Sequence, residues 1–262
     1  MMIRVAKNED KIPVLKFCKN TFSWGDYIEY VWDFWLSEDN LFVFEKELPV
    51  GICHSFYSKD QVWIEGIRVN PNFRRQNIAS KLVMNAELIG RKKNASFSYM
   101  LIDTQNFSSL EMAQSLDYEI FQTWHYYSLS PKINLNHKIE YVKSINPKFC
   151  NHYVKSWRWL PIDNPTLSKF YENKKIIKSS GFDIDSIAIL TDSEHFDKTL
   201  IVTLIPGSEN SVRNIISFLQ NHAIEKNYER IQILTKDLLT TFDSLEHKIS
   251  FNLMRKSLIT LI

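Results

Sequence analysis

Glycine is scarce in this sequence: Gly25, Gly51, Gly66, Gly90, Gly181 and Gly207 are all there are in 262 residues. They are too scattered for a GxGxxG dinucleotide fingerprint, a Walker A loop or a GxSxG nucleophile elbow, each of which needs residues at fixed short spacing. Cysteine is scarcer. Cys18, Cys53 and Cys150 are odd in number and form no CxxC pair, which argues against a disulfide framework or a zinc knuckle. The seven histidines never fall into HExxH or a similar pair on one helical face, so no metal is expected. No apolar run approaches the length of a membrane span. Met1-Met2-Ile3-Arg4-Val5 lacks a signal-peptide layout, and the chain reads as cytoplasmic, with reduced thiols. A net charge of +2 gives the whole molecule no strong field for nucleic acid or a membrane surface.

What remains is ordinary globular composition, 44% hydrophobic and 24% charged, in a chain long enough for two domains. A short strand is expected at 2–6 and a helix from Glu9 to Lys19. Tyr27, Tyr30, Val31, Phe34 and Trp35 follow at helical spacing and read as one apolar stripe. Strands are expected at 41–46, 50–57 and 61–69, a long helix at 76–92, a strand at 97–103, a helix at 107–116 and a strand at 118–129. Strand, helix, strand in this order implies a parallel pair joined by a right-handed crossover. The fold class is therefore α/β (α+β), with a mixed, partly parallel sheet.

Residues 130–139 read as a linker between a domain at 1–129 and another at 140–262. Helices are expected around Trp157–Pro161 and over Thr166–Glu172. Strands at 186–191 and 199–205, a helix at 209–225, a strand at 230–235, a helix at 238–246 and a strand at 250–261 complete the chain. This second set trails the first by a near-constant offset (76 to 209, 97 to 230), which reads as a structural repeat.

The chemistry concentrates in Ile64-Glu65-Gly66-Ile67-Arg68-Val69-Asn70-Pro71-Asn72-Phe73-Arg74-Arg75-Gln76-Asn77-Ile78-Ala79. From Arg68 to Lys93 there are seven basic residues and one acidic residue, Glu87. A basic loop opening a helix suits an anionic ligand, because the helix N-terminus offers unpaired N–H groups and a positive dipole end. The plain alternative is a solvated basic face. The segment resembles the acetyl-CoA-binding motif of the GNAT acetyltransferases: a strand ending V-x-P, then [Q/R]-x-x-G-x-[G/A]. Asn77 stands where the family has Gly, and Asn tolerates a left-handed backbone better than other residues with a Cβ. Asp103 to Ser109 fits the family's strand end and Asn-x-x-[A/S] helix start, and Leu116-Asp117-Tyr118 lies where L-G-F is usual. The Tyr that serves many members as general acid is replaced by Ala113.

The resemblance covers residues 1–129 and implies acetyl-CoA as co-substrate, with no metal. It implies cofactor contacts from Ile67, Arg68, Val69, Arg74, Arg75, Gln76, Asn77, Ile78, Ala79 and Asn106, the backbone of Ile67 and Val69 holding the pantetheine. A closer likeness, through Asp26-Tyr27-Ile28 leading to Trp35-Leu36 and through Glu65 to Pro71, is to the histidine N-acetyltransferase branch, which acetylates the α-amine of free histidine.

Glu65 is the candidate catalytic base or substrate-orienting group, since a mid-strand carboxylate among apolar neighbours is rare without purpose. Its plain alternative is an ion pair with Arg68. Gly66 reads as a bulge. Asp26 and Tyr27 are candidate substrate contacts, and Asp26, Glu29 and Asp33 read either as an acidic wall for an amine or as a wet helical face. His54 and His125 read as core histidines. The expected function is acetyl transfer to the amine of a small molecule or amino acid. The alternatives are a protein N-terminal or lysine acetyltransferase, or a non-catalytic CoA-binding regulatory protein. The second domain is expected to be a degenerate GNAT-like copy without CoA, because Glu209 sits where a pyrophosphate would lie. Such a domain would wall the acceptor pocket or form a homodimer.

Overall fold

A computed structural model describes residues 2–22, 25–144, 151–181, 184–239, 242 and 245–259. The chain divides into two compact units: Met1–Phe121 with Asn252–Ile262, and Gln122–Phe251. The sequence reading places its one boundary at 129/130. The compact units instead change over inside a strand at 121/122, and the chain returns to the first unit at 252.

The first unit begins with β1 (Met2–Val5), α1 (Lys11–Cys18) and α2 (Ile28–Ser37), followed by the antiparallel strands β2 (Leu41–Glu45), β3 (Pro49–Ser58) and β4 (Gln61–Val69). Then come α3 (Ile78–Lys92), β5 (Phe97–Asp103), α4 (Phe107–Gln114) and the start of β6 (Glu119–Leu129). β4 and β5 are parallel, as the strand–helix–strand order requires. Strand alternation sends side chains to two cores. Phe42 and Phe44 of β2 pack under α3 with Val62, Ile64, Ile78, Leu82 and Ala86. Leu41 and Val43 pack on the other face with Val14, Ile28, Val31, Trp32 and Trp35 of α1 and α2. The buried stripe of α2 is therefore Ile28, Val31, Trp32 and Trp35; Tyr30 is 70% exposed, so the stripe read from Tyr27 is displaced around the helix.

The second unit contains Gln122–Leu129 of β6, β7 (Glu140–Tyr141), β8 (His152–Lys155), β9 (Arg158–Pro161), α5 (Asn164–Glu172), β10 (Ile176–Ser179) and β11 (Ser186–Asp192). β12 (Thr199–Ile205), α6 (Glu209–Glu225), β13 (Arg230–Thr235) and the first part of β14 (Leu245–Ser257) complete it. β12, α6 and β13 repeat the parallel crossover, and α6 buries Val212, Ile215, Ile216 and Leu219 as its periodicity demands. Residues 130–139 carry no regular secondary structure.

Two expectations fail in this half. Trp157–Pro161 is not helical. β8 and β9 form a hairpin through Ser156 and Trp157, both left-handed at φ 50° and 64°, the backbone of a type I′ turn. β10 was not anticipated. The helix expected at 238–246 falls partly outside the described residues; Leu238, Leu239 and Phe242 are not helical, and β14 begins at Leu245.

The last strand belongs to both units in turn. Its Asn252–Ser257 part lies beside β5 and closes the sheet of the first unit. Met254 and Leu258 enter that unit's core. Lys256 Nζ donates to the buried Glu87 at 2.9 and 3.2 Å, and the Leu258 N–H donates to the Ser96 carbonyl at 2.8 Å.

Candidate functional site

Parallel pairing of β4 with β5 runs from Gln61 opposite Phe97 to Ile64 opposite Met100 and stops there. Glu65–Val69 continue with β3 alone. Their register changes at the same point: Ile52 faces Arg68 but His54 faces Glu65, so β4 carries one residue more than β3. That bulge is centred on Gly66, at φ +64°. A Cβ there would lie 2.4 Å from two carbons of the Trp35 ring, so both the backbone angle and the space require glycine.

Glu65 sits at the fork. Its Oε1 lies 2.9 Å from His54 Nδ1, and its Oε2 accepts from Trp63 Nε1 at 3.1 Å. The carboxylate is 12% exposed, so it is held rigidly yet reachable. His54 is fully buried, stacked on Trp35 with ring centroids 4.7 Å apart, and its Nε2 lies 3.1 Å from Glu38 Oε2. That second contact is at ion-pair distance without hydrogen-bond alignment. Tyr27 meets the edge of Trp35 at 6.1 Å. Its hydroxyl is pushed above the usual phenol range, first by burial, with Glu65 adding and Arg68 opposing. Burial, with Glu65 adding to it, also drives the Cys53 thiol upward.

The plain alternative for Glu65 pairs it with Arg68, but Arg68 is engaged elsewhere. Arg68 binds Asp26 instead, Nε to Oδ2 at 2.7 Å and Nη2 to Oδ1 at 3.1 Å, and its Nη1 donates to the Ile67 carbonyl. The guanidinium lies over Phe22 and Tyr27. Its charge is matched locally by Asp26. Asp33 is paired with Lys11 at 2.8 Å, and Glu29 faces outward.

Beyond Val69, Asn70 Oδ1 accepts from the Asn72 N–H and fixes a short turn over Pro71–Phe73. Arg75 and Asn77 then take left-handed backbones, φ +60° and +57°. Asn77 is the N-cap of α3 and makes no side-chain capping bond. The first-turn N–H groups around Ile78 and Ala79 thus have no helical or capping partner, and the dipole end is positive. Arg74, Arg75, Gln76 and Asn77 are exposed around it. Gln76 Oε1 accepts from Lys46 Nζ at 2.9 Å, and Arg74 Nε reaches the Val69 carbonyl at 3.4 Å. The Ile78 side chain points into the core, so only its backbone is available to a ligand. Asn106 caps α4, its Oδ1 accepting from the Ser109 N–H at 3.2 Å. Ala113 is fully buried, and α4 bears no phenol.

The second unit differs at each of these points. β12 stays paired with β13 as far as Thr203 opposite Leu234. At the head of α6, the Gly207 N–H donates to Ser186 Oγ at 2.8 Å and the Ser208 N–H to the Ile184 carbonyl at 3.1 Å. Ser208 Oγ caps the Ser211 N–H at 3.4 Å. A Cβ on Gly207 would meet the Ile184 carbonyl at 2.3 Å. Glu209 pairs with Arg213 at 2.7 Å. The Gly207, Ser208 and Ser211 N–H groups are thus taken by the chain itself, and Glu209 sets negative charge beside the helix head. Among the described residues no cluster of His, Cys, Asp or Glu is placed to hold a metal, and no helix is long and apolar enough to cross a membrane.

Residues 11–118 match the family model of the acetyltransferase (GNAT) family. With the split strands and the helix-opening loop in place, residues 11–118 form a GNAT acetyltransferase domain. Acetyl-CoA is the acetyl donor that a domain of this family implies. The whole two-unit chain is similar in fold to the GCN5-related N-acetyltransferase from Sphaerobacter thermophilus, with TM-score 0.67, 13% identity, and 100% of this chain and 96% of that one covered. A candidate acetyltransferase from Thermoplasma acidophilum matches with TM-score 0.65 at 13% identity over 98% of this chain and 100% of that one. A GCN5-related N-acetyltransferase from Anabaena variabilis gives TM-score 0.52 at 12% identity, covering 98% and 73%. At these identities the likeness concerns the fold. Comparison with curated proteins gives no match.

Proposed function

We propose that the first unit transfers an acetyl group from acetyl-CoA to the primary amine of a small molecule or amino acid. The observation that carries this reading is the position of Glu65, a carboxylate held between the Trp63 ring N–H and His54 Nδ1 at the point where β4 parts from β5. The surroundings fit the co-substrate. The Ile67 and Val69 N–H groups, on the edge turned away from β3, are available to pantetheine amides, while their carbonyls accept from Arg68 and Arg74. The uncapped head of α3 with Arg74 and Arg75 suits a pyrophosphate. Acetyl-CoA supplies an activated acyl group when bound.

Glu65 then takes the proton of the acceptor ammonium, directly or through one water, so that a neutral nitrogen attacks. No side chain is acylated on the way. With Ala113 in place of a phenol, the departing thiolate leaves unassisted by α4, which its acidity permits. Free histidine is among the acceptors this reading includes, through the short motifs around Asp26 and Glu65. Cys18 and Cys53 are buried free thiols, Cys18 pushed up to about 12 chiefly by burial, and such inert thiols suit a cytoplasmic protein. The second unit, with its helix head closed by its own chain, carries no CoA.

Glu65→Gln should lower turnover roughly 10- to 10⁴-fold while acetyl-CoA affinity stays nearly unchanged. Turnover would be measured over amino acids, polyamines and N-terminal peptides, and affinity by calorimetry. Wild-type turnover across the pH range removes Glu65 from the mechanism. A second reading, a CoA-binding protein without turnover, draws on Ala113 and the absence of a phenol on α4; binding without turnover over the whole panel would establish it.

A further inference from the structure

His54 is a fully buried side chain whose two ring nitrogens both face carboxylates, at 2.9 Å (Glu65) and 3.1 Å (Glu38). A buried polar group without a partner costs free energy, so an imidazole in this place needs a reason. Two elements hold it. β3 carries it opposite Glu65, immediately before the Gly66 bulge. Trp35 of α2 lies parallel to the ring, with only 5° between the planes. Glu38, the C-cap of α2, stands beside Nε2. Turning the ring over would set Cδ2 against Glu65 and Cε1 against Glu38, losing both contacts. The arrangement therefore selects the nitrogen that meets Glu65, and the role of one imidazole nitrogen is set by what the other one faces.

We infer that His54 is a positioning residue for Glu65, its Nδ1–H fixing the carboxylate at the strand fork while Glu38 and Trp35 fix the ring. This rests on Glu65 taking the acceptor's proton. Trp63 Nε1 holds Oε2 and His54 holds Oε1, so the carboxylate plane is set by two donors and cannot rotate away from the fork. Orientation of a general base acts on the chemical step, not on the binding of either substrate.

The test uses two amides that divide the imidazole. Asn places its amide nitrogen near the position of Nδ1, and Gln places its own near Nε2. His54→Gln should lower kcat roughly tenfold, the effect of one orienting hydrogen bond, with acceptor KM and acetyl-CoA Kd unchanged. His54→Asn should keep most of the turnover. In a Glu65→Gln background, His54→Gln should add no further loss, because both act through one carboxylate. An unchanged kcat in His54→Gln, or a full additional loss in the Glu65→Gln background, overturns the assignment. Wild-type turnover in Glu65→Gln alone is a separate result and overturns the reading of Glu65. Nitrogen-15 spectra of histidine-labelled protein read the same contact without turnover. The resonance that disappears in His54→Asn should show a protonated Nδ1 that shifts in Glu65→Gln, and an unprotonated Nδ1 refutes the inference.

Discussion

Gly66→Ala tests the geometry of the fork directly. Two separate costs are built into that position. The backbone is left-handed at φ +64°, where a residue with a Cβ is disfavoured by about 1–2 kcal/mol. The new methyl would also start 2.4 Å from the six-membered ring of Trp35, which is fully buried among Ile28, Val31 and Trp32 and cannot swing aside. Forcing a carbon into such a site costs about 1–3 kcal/mol. The sum is about 2–5 kcal/mol, a fall in Tm on the order of 5–15 °C for a chain of this size. Urea titration followed by circular dichroism, with hydrogen exchange assigning the transition to the first unit, measures it. Trp35→Leu provides the control. In that background the steric part of the Gly66→Ala cost should disappear and the backbone part remain. A loss below about 1 kcal/mol in the wild-type background would show that neither cost is real, and that β4 carries no obligatory bulge.

Replacing both Arg74 and Arg75 by Ala should weaken acetyl-CoA binding by about 1–3 kcal/mol if both meet the pyrophosphate; unchanged calorimetric affinity would move the phosphates elsewhere. Calorimetry should also give one acetyl-CoA per chain, and a second site lost on Ser208→Ala would disprove the closure of the α6 head. Burial, the largest single influence, would raise the Asp10 carboxyl, but the hydrogen bonds from Arg4 and from the Lys7 N–H, with the nearby positive charges, together hold it below the usual range. A folded-state value that is depressed gives stability present above the unfolded value, about 3.9, and lost as pH falls through the folded one. Asp10→Asn should therefore flatten the acid limb of a stability-versus-pH curve, and an unaltered limb would contradict the pairing.

How legible these features are in the sequence depends on the range of the interaction that fixes them. β4 at 61–69, β5 at 97–103 and α6 at 209–225 follow from local apolar spacing and from punctuation such as Pro206-Gly207-Ser208. The left-handed Asn77 follows from its place before a helix. The buried face of α2 is less determinate, because Tyr27/Tyr30/Phe34 and Ile28/Val31/Trp35 both satisfy the helical period and tertiary packing decides between them. The β8–β9 hairpin carries no Asn-Gly or Gly at its turn; Ser156 and Trp157 adopt left-handed angles that neither residue advertises. The meeting of His54 with Glu65 depends on a bulged register between two strands. In the sequence His54 is indistinguishable from any core histidine, whereas the basic loop, the mid-strand Glu65 and the Gly66 bulge can be read from the residues themselves.

The contribution of Asn252–Ser257 to the first unit sets an order of events during synthesis. Met254 and Leu258, the Lys256 partner of buried Glu87 and the strand beside β5 all emerge from the ribosome after residues 122–251. Until then the nascent first unit exposes the β5 side of its sheet, with Glu87 lacking its lysine, and such an edge invites pairing with other chains. A fragment ending near residue 129 would keep that liability permanently. The last strand thus works as a latch, closing the acetyl-transfer unit only after the whole second unit has been made.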